Sequence, residues 1–261
     1  MIENIDFRKS EQYVLSIRLA TDGFYFLLFN PMESEGKQYA DAYVEADEEL
    51  SLTANLKKVF RQTEWLQNNF GKVNVLADNG RFTLVPLPFF DEKQLSTIFC
   101  HNLTEKDNEQ LAYNTLDKAD MAVIFGIDQS AFHFLGEKLQ NVNFMAEVSP
   151  LIEYFATQAK ADGSNRLFVK FGKGSISIYG YEKSHLALCN TFRFNAVEDS
   201  IYFILSCWKQ LHMDQEHDEL CLYGADAERE ELNILLQRFI QNVNFVDDSA
   251  NIDLKIASSC E

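Results

Sequence analysis

The feature that most constrains the fold of this 261-residue chain is an order of segments that occurs twice. Each half begins with three strand-like stretches, and an amphipathic helical stretch and another strand follow them. The predicted strands of the two meanders span residues 14–19, 24–29 and 39–46, then 166–171, 175–181 and 185–194. The order predicts an α/β chain in two similar halves, the first over residues 1–150 and the second over residues 151–261.

The helices that follow the two meanders share an aromatic spacing. Phe60 and Trp65 stand five residues apart in a helix predicted over residues 50–69, and Phe203 and Trp208 stand five residues apart in the later one. Coincidence between two amphipathic helices and internal duplication both explain this spacing, and the shared segment order favours duplication. Both tryptophans are therefore expected to be buried on equivalent helices.

The remaining segments alternate between strand and helix, with one exception. The stretch from Asn102 to Asp120 is polar and is expected to be irregular, and residues 243–246 are expected to form the last strand. The other predicted strands cover residues 73–76, 82–85, 121–127, 142–148 and 220–223, and the other helices cover residues 91–101, 129–139, 150–161, 196–212 and 227–240.

Composition excludes several classes of function. The chain carries 40 acidic and 23 basic residues, a net charge of −17, which disfavours nucleic acid as a partner. No apolar run is long enough for membrane insertion, and the polar start predicts no signal peptide. The five cysteines are scattered without CxxC spacing, which is typical of free thiols in a reducing compartment. We therefore expect a cytoplasmic protein.

One cluster of polar residues allows two interpretations. His212, Asp214, Glu216, His217 and Asp218 lie within seven residues and include side chains that can bind zinc. No other segment supplies a matching ligand, so the cluster is interpreted as a solvated loop and no metal is expected.

A ribonuclease-H-like domain also has this order: three strands, a helix, a strand, a helix and a strand. Two such domains in one chain resemble the actin-like ATPase superfamily, and more narrowly a bacterial protein family of that fold whose function is not known. The resemblance extends from Tyr13 to Val246 and depends on segment order more than on motifs.

The first phosphate loop of the superfamily, I-D-x-G-T, corresponds to residues 17–21. Thr21 matches, whereas Arg18 replaces the aspartate and Ala20 replaces the glycine. In the superfamily this aspartate and its counterpart in the second loop hold the hydrated magnesium ion that bridges the nucleotide phosphates.

The second phosphate loop, D-x-G-x-G-[ST], corresponds to residues 170–175. Gly172, Gly174 and Ser175 match, but Lys170 replaces the aspartate. The adenosine motif, G-G-x-x-x-P after an apolar strand, is reduced to Gly224. The resemblance implies that these residues, together with Arg18 and Thr21, would form the cofactor-binding site.

Bases at both aspartate positions repel a divalent cation, so metal-assisted phosphoryl transfer is not expected. Arg18 and Lys170 have two possible roles. They can pair with carboxylates of this acidic chain, or they can bind an anion without metal beside the amides of residues 172–175. In either case, the turn at residues 172–175 is expected to face the space between the halves, with Thr21 opposite it.

These considerations predict a non-catalytic actin-like protein with no cofactor, a scaffold for interaction or assembly with an unidentified protein partner. The alternative is an ATP-binding protein or ATPase with an atypical phosphate site. Nuclease activity is disfavoured, because Arg18 and Lys170 stand where it would need carboxylates.

Overall fold

The computed structural model describes residues 5–33, 39–160, 165–224, 229–247 and 249–259. The strands are β1 Val14–Leu19, β2 Gly23–Phe29, β3 Tyr39–Glu45, β4 Lys72–Ala77, β5 Phe82–Pro86, β6 Glu109–Leu116, β7 Met121–Asp128, β8 Val142–Ala146, β9 Arg166–Gly172, β10 Ser175–Glu182, β11 His185–Arg193, β12 Glu219–Tyr223 and β13 Asn242–Val246. The α-helices are α1 Leu52–Gln62, α2 Leu95–Asn102, α3 Gln129–Lys138, α4 Val148–Ala159, α5 Val197–Gln210, α6 Arg229–Leu236 and α7 Ile252–Ser259.

The chain divides into two compact units. Unit 1 comprises Met1–Thr115, Met121–Pro150 and Asp253–Glu261, and unit 2 comprises Leu116–Asp120 and Leu151–Ile252. The units differ from the halves expected from the sequence mainly at the C-terminus, because the residues from Asp253 onward belong to unit 1.

Each unit contains a five-stranded mixed sheet, and the two sheets have the same strand order. In unit 1 the order is β3-β2-β1-β4-β8, and in unit 2 it is β11-β10-β9-β12-β13. In both sheets the first three strands are antiparallel, and the last two run parallel to the strand that begins the meander. The repeated segment order therefore corresponds to a repeated sheet topology.

The helix after each meander differs between the two units. In unit 2, Trp208 lies on α5 and is 4% exposed, as expected. In unit 1, α1 begins at the Ser51 cap and ends at Gln62, because Thr63 has an extended backbone. Trp65 follows in a short 3-10 helix, where it is half-buried between Phe7 and Phe26. The prediction of two buried tryptophans on equivalent helices is thus wrong for Trp65.

The polar stretch from Asn102 to Asp120 contains strand β6, so the expectation of an irregular segment is wrong. This strand belongs to a three-stranded sheet of order β5-β7-β6. Its polar side chains are used internally: Glu109 pairs with Arg81, and Asn114 donates to the Phe144 carbonyl and accepts from the Ala146 amide. A polar sequence can form a half-buried strand when its polar side chains find hydrogen-bond partners within the protein.

Helix α7 lies beyond the last element predicted from the sequence. Its Leu254 and Ala257 pack against Leu27 of β2 and Leu76 of β4, and all four side chains are buried. This packing explains why the C-terminal residues belong to unit 1.

Candidate functional site

The first candidate site lies on one face of the unit 1 sheet, beneath α7. Because side chains alternate along a strand, Ser16 and Arg18 of β1 share this face with Tyr25 of β2 and with Asn74 and Leu76 of β4, their partners in register. The face therefore combines apolar side chains with buried polar ones.

Arg18, which replaces the aspartate of the first phosphate loop, forms an ion pair with α7. Its Nη1 donates to both carboxylate oxygens of Asp253, at 2.7 Å and 2.8 Å. The Arg18 side chain is 8% exposed and that of Asp253 is fully buried. A carboxylate of the chain itself thus neutralises the guanidinium that occupies the metal-binding position of the superfamily motif.

Two further groups surround Arg18. The Oδ2 atom of Asp78 lies 3.8 Å from Arg18 Nε, and the guanidinium carbon lies 4.1 Å from the centre of the Tyr25 ring. Burial alone lowers the pKa of the Arg18 guanidinium, but the attraction of Asp253 and its hydrogen bonds raises it overall, with Asp78 and the buried Glu147 adding to this. We name Arg18, Tyr25, Asp78 and Asp253 the Arg18 cluster.

Polar contacts also hold α7 against the sheet. Ser16 Oγ and Ser258 Oγ are 2.8 Å apart, and Asn74 Nδ2 donates to the Ala257 carbonyl at 2.8 Å. Both contacts are buried, where a hydrogen bond is stronger than in water and an unpaired polar group is costly. The helix is therefore positioned by directional contacts as well as by apolar packing.

Thr21, the matching residue of the first loop, lies outside the Arg18 cluster. It is exposed in the turn between β1 and β2 and lines a cavity of about 420 Å³. Four acidic residues also line this cavity, namely Asp47, Glu48, Asp78 and Asp128, whereas no lysine or arginine does. Such a lining disfavours a phosphate group.

The second predicted loop lies in unit 2, between β9 and β10. Lys170 is on β9 and is 6% exposed, and Ser175 is the first residue of β10. Gly174 has a φ of +70°, a conformation that side chains rarely adopt. The turn at residues 172–175 thus has a backbone conformation that glycine adopts without steric cost.

Gly224, the remnant of the adenosine motif, lies beside this loop. It follows β12, which runs parallel to β9 and places Tyr223 opposite Lys170. Its φ is +67°, and a Cβ there would lie 3.0 Å from the Phe171 carbonyl oxygen. The Gly224 amide donates to Ser249 Oγ at 2.7 Å. Unit 2 therefore brings Lys170, the glycine turn and Gly224 to one end of its sheet.

The polar loop after α5 is held together by internal contacts. Asp214 accepts from the amides of Glu216 and His217, and its Oδ1 lies 2.9 Å from His217 Nδ1. The hydrogen bond to Asp214 raises the pKa of His217. Within the described residues, no group of three or more His, Cys, Asp or Glu side chains is arranged to hold a metal ion.

Sequence reasoning identified Arg18 and Lys170 but missed Asp253, Tyr25 and Asp78. Asp253 lies outside the stretch that resembles the superfamily, and no periodicity connects it with Arg18. Only the arginine at position 18 pointed to such residues in the sequence, because a buried arginine requires a carboxylate partner.

The chain belongs to a family of proteins of unknown function, DUF3822, which matches residues 2–243. No curated protein matches it. It has the actin-like ATPase fold, with two ribonuclease-H-like halves that each contain a mixed sheet flanked by helices. None of its described helices is both long and apolar enough to cross a membrane.

A protein of actin-like ATPase fold and unknown function from Bacteroides thetaiotaomicron is 40% identical, with a TM-score of 0.90 over 98% of this chain and 99% of that one. The cytoplasmic domain of EpsL, an inner-membrane component of the type II secretion system of Vibrio cholerae, is 11% identical, with a TM-score of 0.51 over 95% of this chain and 96% of that one. The PilM–PilN type IV pilus biogenesis complex contains a chain that is 12% identical, with a TM-score of 0.52 over 89% of this chain and 88% of that one.

Proposed function

We propose that this protein is a non-catalytic member of the actin-like fold that acts in the cytoplasm as a scaffold for a protein partner. The observation that carries the proposal is the buried ion pair between Arg18 and Asp253. The first phosphate loop supplies a guanidinium instead of a metal ligand, and α7 supplies the carboxylate that neutralises it.

The residues of the first loop do not fit a magnesium–nucleotide complex. A hydrated magnesium ion requires carboxylate or hydroxyl oxygens at this position, and Arg18 would repel it. Rotation of Arg18 away from the site would leave the carboxylate of Asp253 buried without its main cationic partner, which is costly. Magnesium-dependent hydrolysis of ATP is therefore absent from the proposed function.

The fold itself is compatible with a role in assembly. The secretion-system component and one chain of the pilus biogenesis complex have this fold, and their names describe parts of larger assemblies. Among the described residues, Cys100, Cys207 and Cys221 are free thiols, which fits a reducing compartment.

One observation favours the alternative, an ATP-binding protein with an atypical phosphate site. In unit 2, Gly174 and Gly224 both have positive φ, and both correspond to glycines of the superfamily motifs. Such backbones allow close approach of an anion, and Lys170 lies on the strand that enters the turn.

The test is release of phosphate from ATP with and without magnesium, together with binding of ATP measured by equilibrium dialysis. The scaffold proposal expects the buffer rate of hydrolysis in both conditions. Hydrolysis above that rate, lost in Thr21→Val or Ser175→Ala but kept in the surface control Lys57→Ala, would overturn it. Stoichiometric binding of ATP without hydrolysis, weakened by Ser175→Ala, would support the alternative.

A further inference from the structure

The outer edge of the unit 1 sheet has the features of a docking site. Among the described strands, β3 is hydrogen-bonded to β2 alone. The pairing is continuous over seven positions, from Tyr39 opposite Phe29 to Glu45 opposite Gly23. One side of an edge strand leaves backbone N–H and C=O groups outside the ladder. Strand β3 therefore offers a regular row of donors and acceptors to an added strand.

Most edge strands carry a device that prevents such pairing. Proline, lysine or a bulge are the usual ones, and the sequence from Tyr39 to Glu45 contains no proline and no lysine. Its register with β2 is unbroken, whereas the pairing of β10 with the edge strand β11 shifts between Gly180 and Tyr181. Only acidic side chains at β3 discourage addition of a strand, and they discourage acidic strands most.

The outward face of β3 combines aromatic rings with carboxylates. Tyr39 and Tyr43 are 38% and 43% exposed, and the exposed Asp41 and Glu45 lie on the same face. Neighbouring rings support both tyrosines: Phe29 lies 5.0 Å from Tyr39 and Tyr25 lies 4.5 Å from Tyr43, between ring centres. Tyr43 Oη donates to the Asp22 carbonyl at 2.9 Å. These contacts fix the rings before any partner arrives.

The Arg18 cluster shows which ligand chemistry suits such a face. There a guanidinium lies over the Tyr25 ring and is bound by the carboxylate of Asp253. A planar guanidinium can stack on an aromatic ring and form bidentate hydrogen bonds with a carboxylate at once, which an ammonium cannot. Exposed tyrosines alternating with carboxylates on β3 present the same two groups to an arginine from outside.

The geometry points to β3 as the binding site for an extended, arginine-containing segment of a partner protein, which adds to the sheet as a sixth strand beside β3. The net charge of −17 attracts such a segment and disfavours a second copy of this acidic chain as the occupant. This inference rests on the scaffold function and specifies the chemistry of its partner.

The test uses a short fluorescein-labelled peptide of alternating arginine and valine, with a peptide of alternating glutamate and valine as its control. Fluorescence anisotropy should show binding of the arginine peptide alone. The double variant D41K/E45K should weaken this binding about tenfold, because it reverses both carboxylates of the face. The matched variant E64K/E137K makes the same change of net charge at two exposed positions of unit 1 and should bind like the wild type.

A backbone readout separates strand addition from general electrostatic attraction. Peptides N-methylated at alternate positions lose hydrogen-bonding groups along one edge, so one of the two possible series should abolish binding. Absence of binding, equal weakening by both charge variants, or binding that neither methylated series affects would each overturn the inference. Peptide binding and ATP hydrolysis are measured independently. Failure of this inference can therefore be distinguished from failure of the scaffold function, which the ATP assay tests.

Discussion

Arg18 on β1 and Asp253 on α7 form a buried ion pair between residues 235 positions apart, in which one guanidinium nitrogen donates to both carboxylate oxygens. The pair lies where the resemblance to actin-like ATPases would place a metal-binding aspartate. It therefore connects the replaced position of the first motif with the return of the C-terminal helix to unit 1.

Removal of one partner of this pair should destabilise the protein strongly. Asp253→Asn leaves Arg18 buried without its main carboxylate partner, and we expect a loss of about 3–5 kcal/mol in the free energy of unfolding by urea. The double variant Arg18→Met with Asp253→Leu should recover most of this loss, because no buried charge is left unpaired. As a control, Asp6→Asn at the exposed pair with Arg8 should leave the midpoint nearly unchanged. A wild-type midpoint for Asp253→Asn would contradict the role of the pair.

The apolar contact between α7 and the sheet should also contribute to stability. Leu254 is fully buried against Leu27 and Leu76, so Leu254→Ala should cost about 2–5 kcal/mol. Ile234 on α6 is 61% exposed, and Ile234→Ala provides a control of similar chemistry that should cost far less. Equal urea midpoints for the two variants would show that α7 does not anchor unit 1.

The two tryptophans should differ in their contribution to stability. Trp208 is 4% exposed in the core of unit 2, so Trp208→Ala should cost about 3–5 kcal/mol. Trp65 is half-buried, and Trp65→Ala should cost less because part of its surface already contacts solvent. Thermal unfolding of both variants tests this ranking of stability losses, and a larger loss for Trp65→Ala than for Trp208→Ala would contradict it.

Two buried thiols should resist modification in the folded protein. Burial raises the pKa of Cys207 to about 11, and burial followed by the charge of Glu219 raises that of Cys221 to about 12. The thiolate is the reactive form, so at about pH 8 both thiols stay protonated and should react slowly with a disulfide reagent. The variant C100S/C189S/C260S isolates them, and they should react rapidly only after urea is added. Rapid reaction without urea would contradict their burial.

The same shifts give stability a pH dependence. An unfolded cysteine has a pKa of about 8.5, whereas these folded thiols ionise only at higher pH. The unfolded state therefore loses protons first, and stability should fall as the pH rises above about 8.5. In the isolating variant, Cys207→Ala with Cys221→Ala should flatten the urea midpoint between about pH 8 and pH 10. If the urea midpoint of that variant fell with pH as steeply as before, the raised pKa values of Cys207 and Cys221 would be contradicted.

The fold could be predicted largely from local patterns. Alternation and apolar runs located the strands of both meanders, and a periodicity near 3.6 located α5. The polar strand β6 was missed, because side chains such as Asn114 are satisfied by partners distant in the chain. Helix α7 was missed because its docking surface is formed by strands of unit 1, far away in the sequence.

The sequence by itself determined the two strand meanders with the helix and strand after each, the negative net charge and the bases Arg18 and Lys170 at the two motif positions. These properties depend on residue type and on neighbours within a few positions. Only the tertiary structure decided how Arg18 is neutralised, because the burial and pairing of a charge depend on which segments meet in space. Asp253 reaches Arg18 through the return of α7 to the unit 1 sheet, a contact between distant residues that no local pattern records.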